Sequence, residues 1–280
     1  MRWILTVFVL LVWSSAVIGA PVCTHVDMEW ISRQAPLPPE AKIVYKKEQG
    51  ALCEVVLAVD GDLIPLYAGQ DFLVVGNLFR DKQFVTRETL ESLADIAQKE
   101  RTKADEKKIL EGKKRQAFFQ QNLSTLDDLT LFSFKPGKAD KFLYMVTDPD
   151  CAHCKQLMPE LEILALENQF EIKVILFPML GPKSHGMAAQ AICGKVSYEA
   201  YGKIQFEEDA SGCSQADVLL KKTMDFFSQA NLSFVPVVIS GDGCWVVEGN
   251  DIPRVKHHLG IQDDGSSPPP SQGCKPVPEN

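Results

Sequence analysis

The sequence predicts a two-part chain of mixed class: an α/β second half preceded by a small antiparallel β segment and a helical connector, α+β overall. Three observations carry this. Residues 42–79 alternate or cluster β-branched and apolar residues between Gly and Asp turns. Residues 86–121 are rich in Glu, Lys, Ala and Leu and contain no proline. Residues 141–178 read as a continuous apolar run, an amphipathic stretch and a second apolar run, the order of a strand, a crossover helix and a parallel strand.

The chain has 280 residues, 45% hydrophobic and 24% charged, an ordinary globular composition with room for one large or two modest cores. Its formal net charge is -8 and it has no long basic run, which argues against nucleic acid as a partner. MRWILTVFVLLVWSSAVIGA has a basic Arg2, an apolar run from Trp3 and small residues at Gly19 and Ala20. It reads as a secretory signal peptide cut after Ala20. A membrane anchor is the competing reading, against which the run is short and lacks a following basic cluster. A lipid-modified Cys23 is disfavoured by the bulky Val22 before it. Export would take the eight cysteines (23, 53, 151, 154, 193, 213, 244 and 274) into an oxidising compartment, where they tend to pair.

The elements follow in order. KIVYKKE, LCEVVLAV, LIPLYAG and DFLVVGNLF, with a DGD turn at Asp60 to Asp62, predict a small antiparallel sheet. Its core is thin for a free-standing domain, so it would gain by pairing with a second copy. Over 86–121, Leu90, Leu93 and Ala97 recur at helical spacing, whereas the middle is charged all round, as in a solvated spacer, and Gly112 marks a place where the helix can break. KFLYMVT and EIKVILFP are the two strands of the parallel pair, with Leu157, Met158, Leu161 and Leu164 on one face of the helix between them. SHGMAAQAICGK, SYEAYGKIQF and SQADVLLKKTMDFFSQAN form a helical region. VPVVIS and CWVVEG flank a Gly-Asp-Gly hairpin turn, and Asp251 caps a last helix that ends at Gly260. The tail is rich in Pro, Ser and Gly and predicts disorder.

The chemistry concentrates in DPDCAHCKQLMP. At a strand-to-helix junction, Cys151 lies near free backbone N–H groups and the positive end of the helix dipole, which favours its thiolate. Cys154, one turn later, is within reach to resolve a mixed disulfide formed by Cys151. His153, beside Ala152 in the intervening dipeptide, adds a positive charge or a donor that lowers the Cys151 pKa further. Haem attachment needs a histidine after the second cysteine, and Lys155 stands there. A structural zinc site needs a second ligand pair, whereas the other cysteines are single and His257-His258 lies on the distant last helix. An inert disulfide is the remaining rival to redox exchange, which needs no metal and no small cofactor.

CAHCKQLMPEL resembles the active site of the thioredoxin fold, Cys-x-x-Cys-Lys with a proline, Pro159, five residues after the second cysteine. That resemblance implies a cis-proline opposite the cysteines, supplied by FVPVVIS as Pro236 behind Val235, with backbone free to pair with an extended substrate chain. The order PLYAGQDFLVVGNLF, connector, VTDPDCAHC, LFPMLGPKSHGMAAQAICG and VPVVISGDG is similar to the bacterial periplasmic disulfide isomerases of the DsbC and DsbG type. The family resemblance implies a signal peptide over 1–20, a β dimerisation domain over 21–85, a helical linker over 86–122, a thioredoxin-like catalytic domain with a helical insertion over 123–260, and a tail over 261–280. It further implies a periplasmic homodimer, a structural disulfide between Cys193 and Cys213, misfolded exported proteins with wrong disulfides as substrates, and a membrane thiol reductant of the DsbD type. Extra cysteines suggest two more pairs: Cys23 with Cys53, stapling the N-terminal segment to the sheet, and Cys244 with Cys274, with a free Cys274 as the rival. Because His153 and Val235 are similar to DsbA-type residues, a thiol oxidase is the alternative function. A chaperone-like binding module is a further one.

Overall fold

The computed structural model describes residues 21–203 and 212–261. The expected signal peptide, Cys274 and the tail from residue 262 lie outside the described residues. The chain divides into two compact units at the step from Lys108 to Ile109.

The first unit begins with a 3-10 turn (Val22–Thr24) and α1 (Met28–Gln34), whose N-terminus is capped by the Asp27 carboxylate accepting from the Trp30 N–H at 2.7 Å. Strands β1 (Lys42–Gln49), β2 (Leu52–Val59), β3 (Asp62–Ala68) and β4 (Leu73–Val75) form an antiparallel meander in that order. The β2–β3 turn places Asp60 at φ 50° and Gly61 at φ 91°, the left-handed pair that an Asp-Gly hairpin supplies at low cost. One face of β2 and β3 buries Cys53, Val55, Leu57, Leu66 and Ala68 against Val26, Trp30 and Ile31. Helix α1, absent from the sequence reading, thus supplies the apolar cover that the thin sheet lacked.

The fully buried Glu54 lies between those inward residues on β2, so its side chain belongs to the opposite face. It accepts from the Tyr67 hydroxyl at 2.9 Å and the Thr89 hydroxyl at 3.0 Å. A short hairpin, β5 (Phe79–Arg80) and β6 (Gln83–Phe84), leads into α2 (Val85–Ser92), which carries Thr89. After a break at Leu93, α3 (Ala94–Gln121) runs unbroken through Gly112. The interruption expected at Gly112 is therefore at Leu93 instead, because one mid-helix glycine costs only about 1 kcal/mol, which a long helix absorbs. The stretch expected as a linker is shared between the units: Glu100 pairs with Lys42 at 2.6 Å in the first, and Phe119 enters a core of the second.

The second unit continues with α4 (Leu123–Leu129), β7 (Phe132–Phe134), β8 (Lys141–Thr147), α5 (Ala152–Asn168), β9 (Phe170–Leu176), α6 (Pro182–Cys193), α7 (Tyr198–Tyr201), α8 (Ser214–Gln229), β10 (Val237–Ser240), β11 (Val246–Glu248) and α9 (Ile252–Leu259). The sheet order is β11-β10-β8-β9-β7, with β8 and β9 parallel across α5 and the other pairs antiparallel. This is a thioredoxin-like fold with α6 to α8 inserted before the β10–β11 hairpin. Alternation along β8 sends Leu143 and Met145 into a core with α5, α6 and α9, and Tyr144 and Val146 into a second core with Phe119, Phe226 and Phe227. Asp251 caps α9 through the Arg254 N–H at 3.0 Å, and Gly260 closes it at φ 73°.

Candidate active site

Strand β8 ends buried at Thr147, and three residues, Asp148 to Asp150, carry the chain to Cys151 at the N-cap of α5. Asp148 is fully buried. One carboxylate oxygen accepts from the Asp150 N–H at 2.8 Å; the other accepts from the Met179 and Leu180 N–H groups at 2.7 and 3.1 Å. A buried carboxylate with three backbone donors is well compensated, and it fastens the loop before Cys151 to the segment after β9.

The Cys151 sulfur accepts from the Cys154 N–H at 3.4 Å, as an N-cap side chain does, so a developing thiolate there meets a backbone donor and the helix dipole. Cys151 is 6% and Cys154 2% exposed, and both are free thiols. Burial pushes the Cys154 thiol up to about 12, with the neighbouring Cys151 adding to the rise. Cys154 is therefore held as a thiol at neutral pH, one helical turn behind Cys151. Pro159 lies inside α5, where it removes one backbone donor from the helix.

The Val235–Pro236 peptide bond is cis, and the Val235 carbonyl lies 3.9 Å from the Cys151 sulfur. Backbone just before β10 thus borders the outer cysteine. Ala152 and His153 are exposed on the first turn of α5. Lys183 pairs with Asp150 at 2.7 Å, bringing a cation to the loop that precedes Cys151.

Behind Cys154 lies a cavity of about 400 Å³ lined by Thr147, Cys154, Met158, Glu162, Tyr198 and Tyr201, among others. The Tyr198 and Tyr201 hydroxyls are buried, and neither makes a hydrogen bond of good geometry among the described residues. Sequence reasoning took SYEAYGK only as helix. The signal was two tyrosines three residues apart, which share a helix face.

Of the other cysteines, Cys23 is bonded to Cys53, and Cys193 to Cys213, joining the end of α6 to the start of α8. Cys244 is disulfide-bonded as well; its expected partner, Cys274, lies outside the described residues. Among the described residues no group of three or more His, Cys, Asp or Glu side chains is placed to hold a metal ion, and no helix is long and apolar enough to cross a membrane.

No family model matches the chain, and no curated protein sequence matches it. Among solved structures, the chain is similar to DsbG of Helicobacter pylori, at 18% identity over 72% of this chain and 94% of that one, with a TM-score of 0.33. It is also similar to the catalytic domain of Proteus mirabilis ScsC, at 15% identity over 51% and 94%, with a TM-score of 0.41. A third is a periplasmic thioredoxin-like protein from Salmonella enterica serovar Typhimurium, at 16% identity over 42% and 80%, with a TM-score of 0.36.

Proposed function

We propose that the chain is a thiol-disulfide isomerase and reductase that rearranges wrong disulfides in exported proteins through Cys151 and Cys154. The observation that carries this is the pairing of two free thiols one turn apart, the outer one capped by backbone N–H and the inner one held protonated behind it. Cys151 thiolate attacks one sulfur of a substrate disulfide, the other substrate sulfur leaves as a thiolate, and a mixed disulfide forms. The freed substrate thiolate then attacks a different sulfur, or Cys154 attacks Cys151 and releases the reduced chain. A Cys151–Cys154 disulfide so formed needs two electrons from outside, for which a membrane thiol reductant of the DsbD type is the proposed source. No metal and no small cofactor enters these steps.

The proposed setting is the periplasm, on the signal-peptide reading of residues 1–20, and the proposed assembly is a homodimer through the N-terminal sheet. Support for the dimer comes from that sheet's edge strand β4, where Val74 and Val75 are exposed just after the exposed Phe72. The exposed His153 beside Cys151 and Val235 before the cis-proline favour a second reading, a thiol oxidase of DsbA type.

The test is reactivation of a scrambled-disulfide protein in a glutathione buffer, run beside oxidation of the same protein supplied reduced, with Cys151→Ala as control. Rescue of the scrambled form that depends on Cys151 is the expected result. Fast oxidation without rescue would replace the isomerase by the oxidase. Suppression of client aggregation that survives Cys151→Ala and Cys154→Ala, with neither redox activity present, would leave a chaperone-like binding module.

A further inference from the structure

Cys154 must lose its proton when it attacks Cys151 in the resolving step. The only carboxylate of the loop that is fully buried, Asp148, is already committed to three backbone N–H groups. His153 lies exposed on the far side of a turn from a sulfur that is almost wholly buried. On the inner side the surroundings differ. The cavity of about 400 Å³ reaches Cys154, and the other polar residues that line it are Thr147, Tyr198 and Tyr201, the acids Asp148, Glu162 and Glu199, and Lys155. Tyr198 and Tyr201 are 4% and 7% exposed; Glu162 lies close to the Tyr198 hydroxyl and Thr147 to the Tyr201 hydroxyl, but neither hydroxyl makes a hydrogen bond of good geometry among the described residues.

Buried hydroxyls are almost always hydrogen-bonded to protein or ordered water, and a cavity of this volume with several polar groups in a mostly apolar lining is roomy enough for water molecules at about 30 Å³ each. The polar neighbours that act on Tyr201 are Thr147, Cys154, Asp148 and Cys151; on Tyr198 they are Glu162, which is only half-buried, and Glu199. Thr147, Tyr201, Tyr198 and Glu162 thus share one cavity with Cys154, and of these Glu162 and not the tyrosines is partly open to solvent.

We propose that this cavity is the proton exit of the resolving cysteine, with Tyr201 as the positioning residue that hands the Cys154 proton to cavity water and Glu162 as the group that passes it to solvent. The inference rests on the thiol-exchange reading above and deepens it. As the Cys154 S–H bond breaks, its electron pair forms the bond to the Cys151 sulfur. The bond from Cys151 to the substrate sulfur breaks, and that electron pair leaves on the substrate as a thiolate. The proton travels through the cavity to the Glu162 carboxylate and on to water. The raised pKa of Cys154 is the reason such a path matters: without an acceptor the attacking thiolate is scarce at neutral pH.

The experiment uses the reduced mature chain and the chromophoric disulfide 5,5'-dithiobis(2-nitrobenzoate) in a stopped-flow instrument. A first equivalent of coloured thiolate reports attack by Cys151, and a second reports resolution by Cys154. Tyr201→Phe keeps the ring and its packing on Phe132 at 5.0 Å, so the fold is retained. The expected result is an unchanged first phase and a second phase slowed at least about tenfold near neutral pH, recovering as pH rises and hydroxide takes over. Glu162→Gln is expected to slow the second phase in the same sense. A second phase with the wild-type rate and pH profile in both variants would overturn the proton path while leaving thiol exchange standing. A wild-type protein that shows no second phase would overturn the exchange reading, and this path with it.

Discussion

The carboxylate of Asp148 accepts a hydrogen bond from the Met179 backbone N–H at 2.7 Å, tying the loop before Cys151 to the chain that leaves β9. Asp148→Ala removes the partner of three N–H groups at once; these are part-buried, and Leu180 is exposed, so water replaces some of the lost bonds. The expected loss in unfolding free energy is therefore about 1–3 kcal/mol, read by urea titration. Attack by Cys151 should slow as well, since its loop is no longer fastened. A variant as stable as wild type would mean that the loop is held by other contacts.

The buried thiol of Cys154 links stability to pH. In the unfolded chain it titrates near its ordinary value of about 9, whereas in the folded protein burial holds the proton to about 12. Between these values the unfolded state binds fewer protons, so unfolding free energy falls as pH rises, and below them the effect vanishes. Reduced wild-type protein should lose stability relative to reduced Cys154→Ser from about pH 9 upward. Parallel stability curves through that range would show that Cys154 titrates as an exposed thiol does.

The placing of two free thiols at the start of α5 was legible because its signal is local: two cysteines at fixed spacing, a strand before them and an amphipathic helix after them. Alternation and turn residues likewise located β1 to β3 and the parallel pair β8 and β9. Helix α1 was not legible. Seven residues of MEWISRQ are too few for a periodic pattern, and the helix owes its place to the Asp27 cap and to Trp30 and Ile31 packing on the sheet. Nor was the cavity behind Cys154, since it joins Thr147 on β8, Glu162 on α5 and two tyrosines on α7, separated in sequence and brought together only by packing. The buried Glu54 was equally hidden, because its partners Tyr67 and Thr89 lie on β3 and α2. Sequence patterns carry short-range periodicity, whereas these sites depend on contacts between elements.

Removing the Cys193–Cys213 bond should weaken the fold without touching the redox pair. The bond closes a loop with a sequence separation of 20, for which chain-entropy reasoning gives about 3 kcal/mol. The double variant Cys193→Ser/Cys213→Ser is expected to melt at lower temperature in calorimetry, while its Cys151 thiol reacts at the wild-type rate. A loss of Cys151 reactivity in fully folded protein would instead tie this bond to the site.

The proposed dimer makes the edge of the N-terminal sheet the most informative surface to mutate. Among the described residues strand β4 has only β3 as a strand neighbour, so its outer backbone groups are open to a further strand. The residues there are apolar: Val75 is 63% and Val74 50% exposed, and Phe72 just before the strand is 48% exposed. A charged residue on such an edge opposes pairing with an identical copy, because a two-fold interface sets each charge near its own equivalent. Val75→Lys should therefore convert a dimer to a monomer in sedimentation equilibrium. It should leave attack by Cys151 on a small disulfide unchanged, since Cys151 lies in the other unit, while lowering reactivation of a scrambled protein substrate that must be held during exchange. A wild-type chain that sediments as a monomer would remove the dimer. A Val75→Lys variant that stays dimeric would move the interface away from β4.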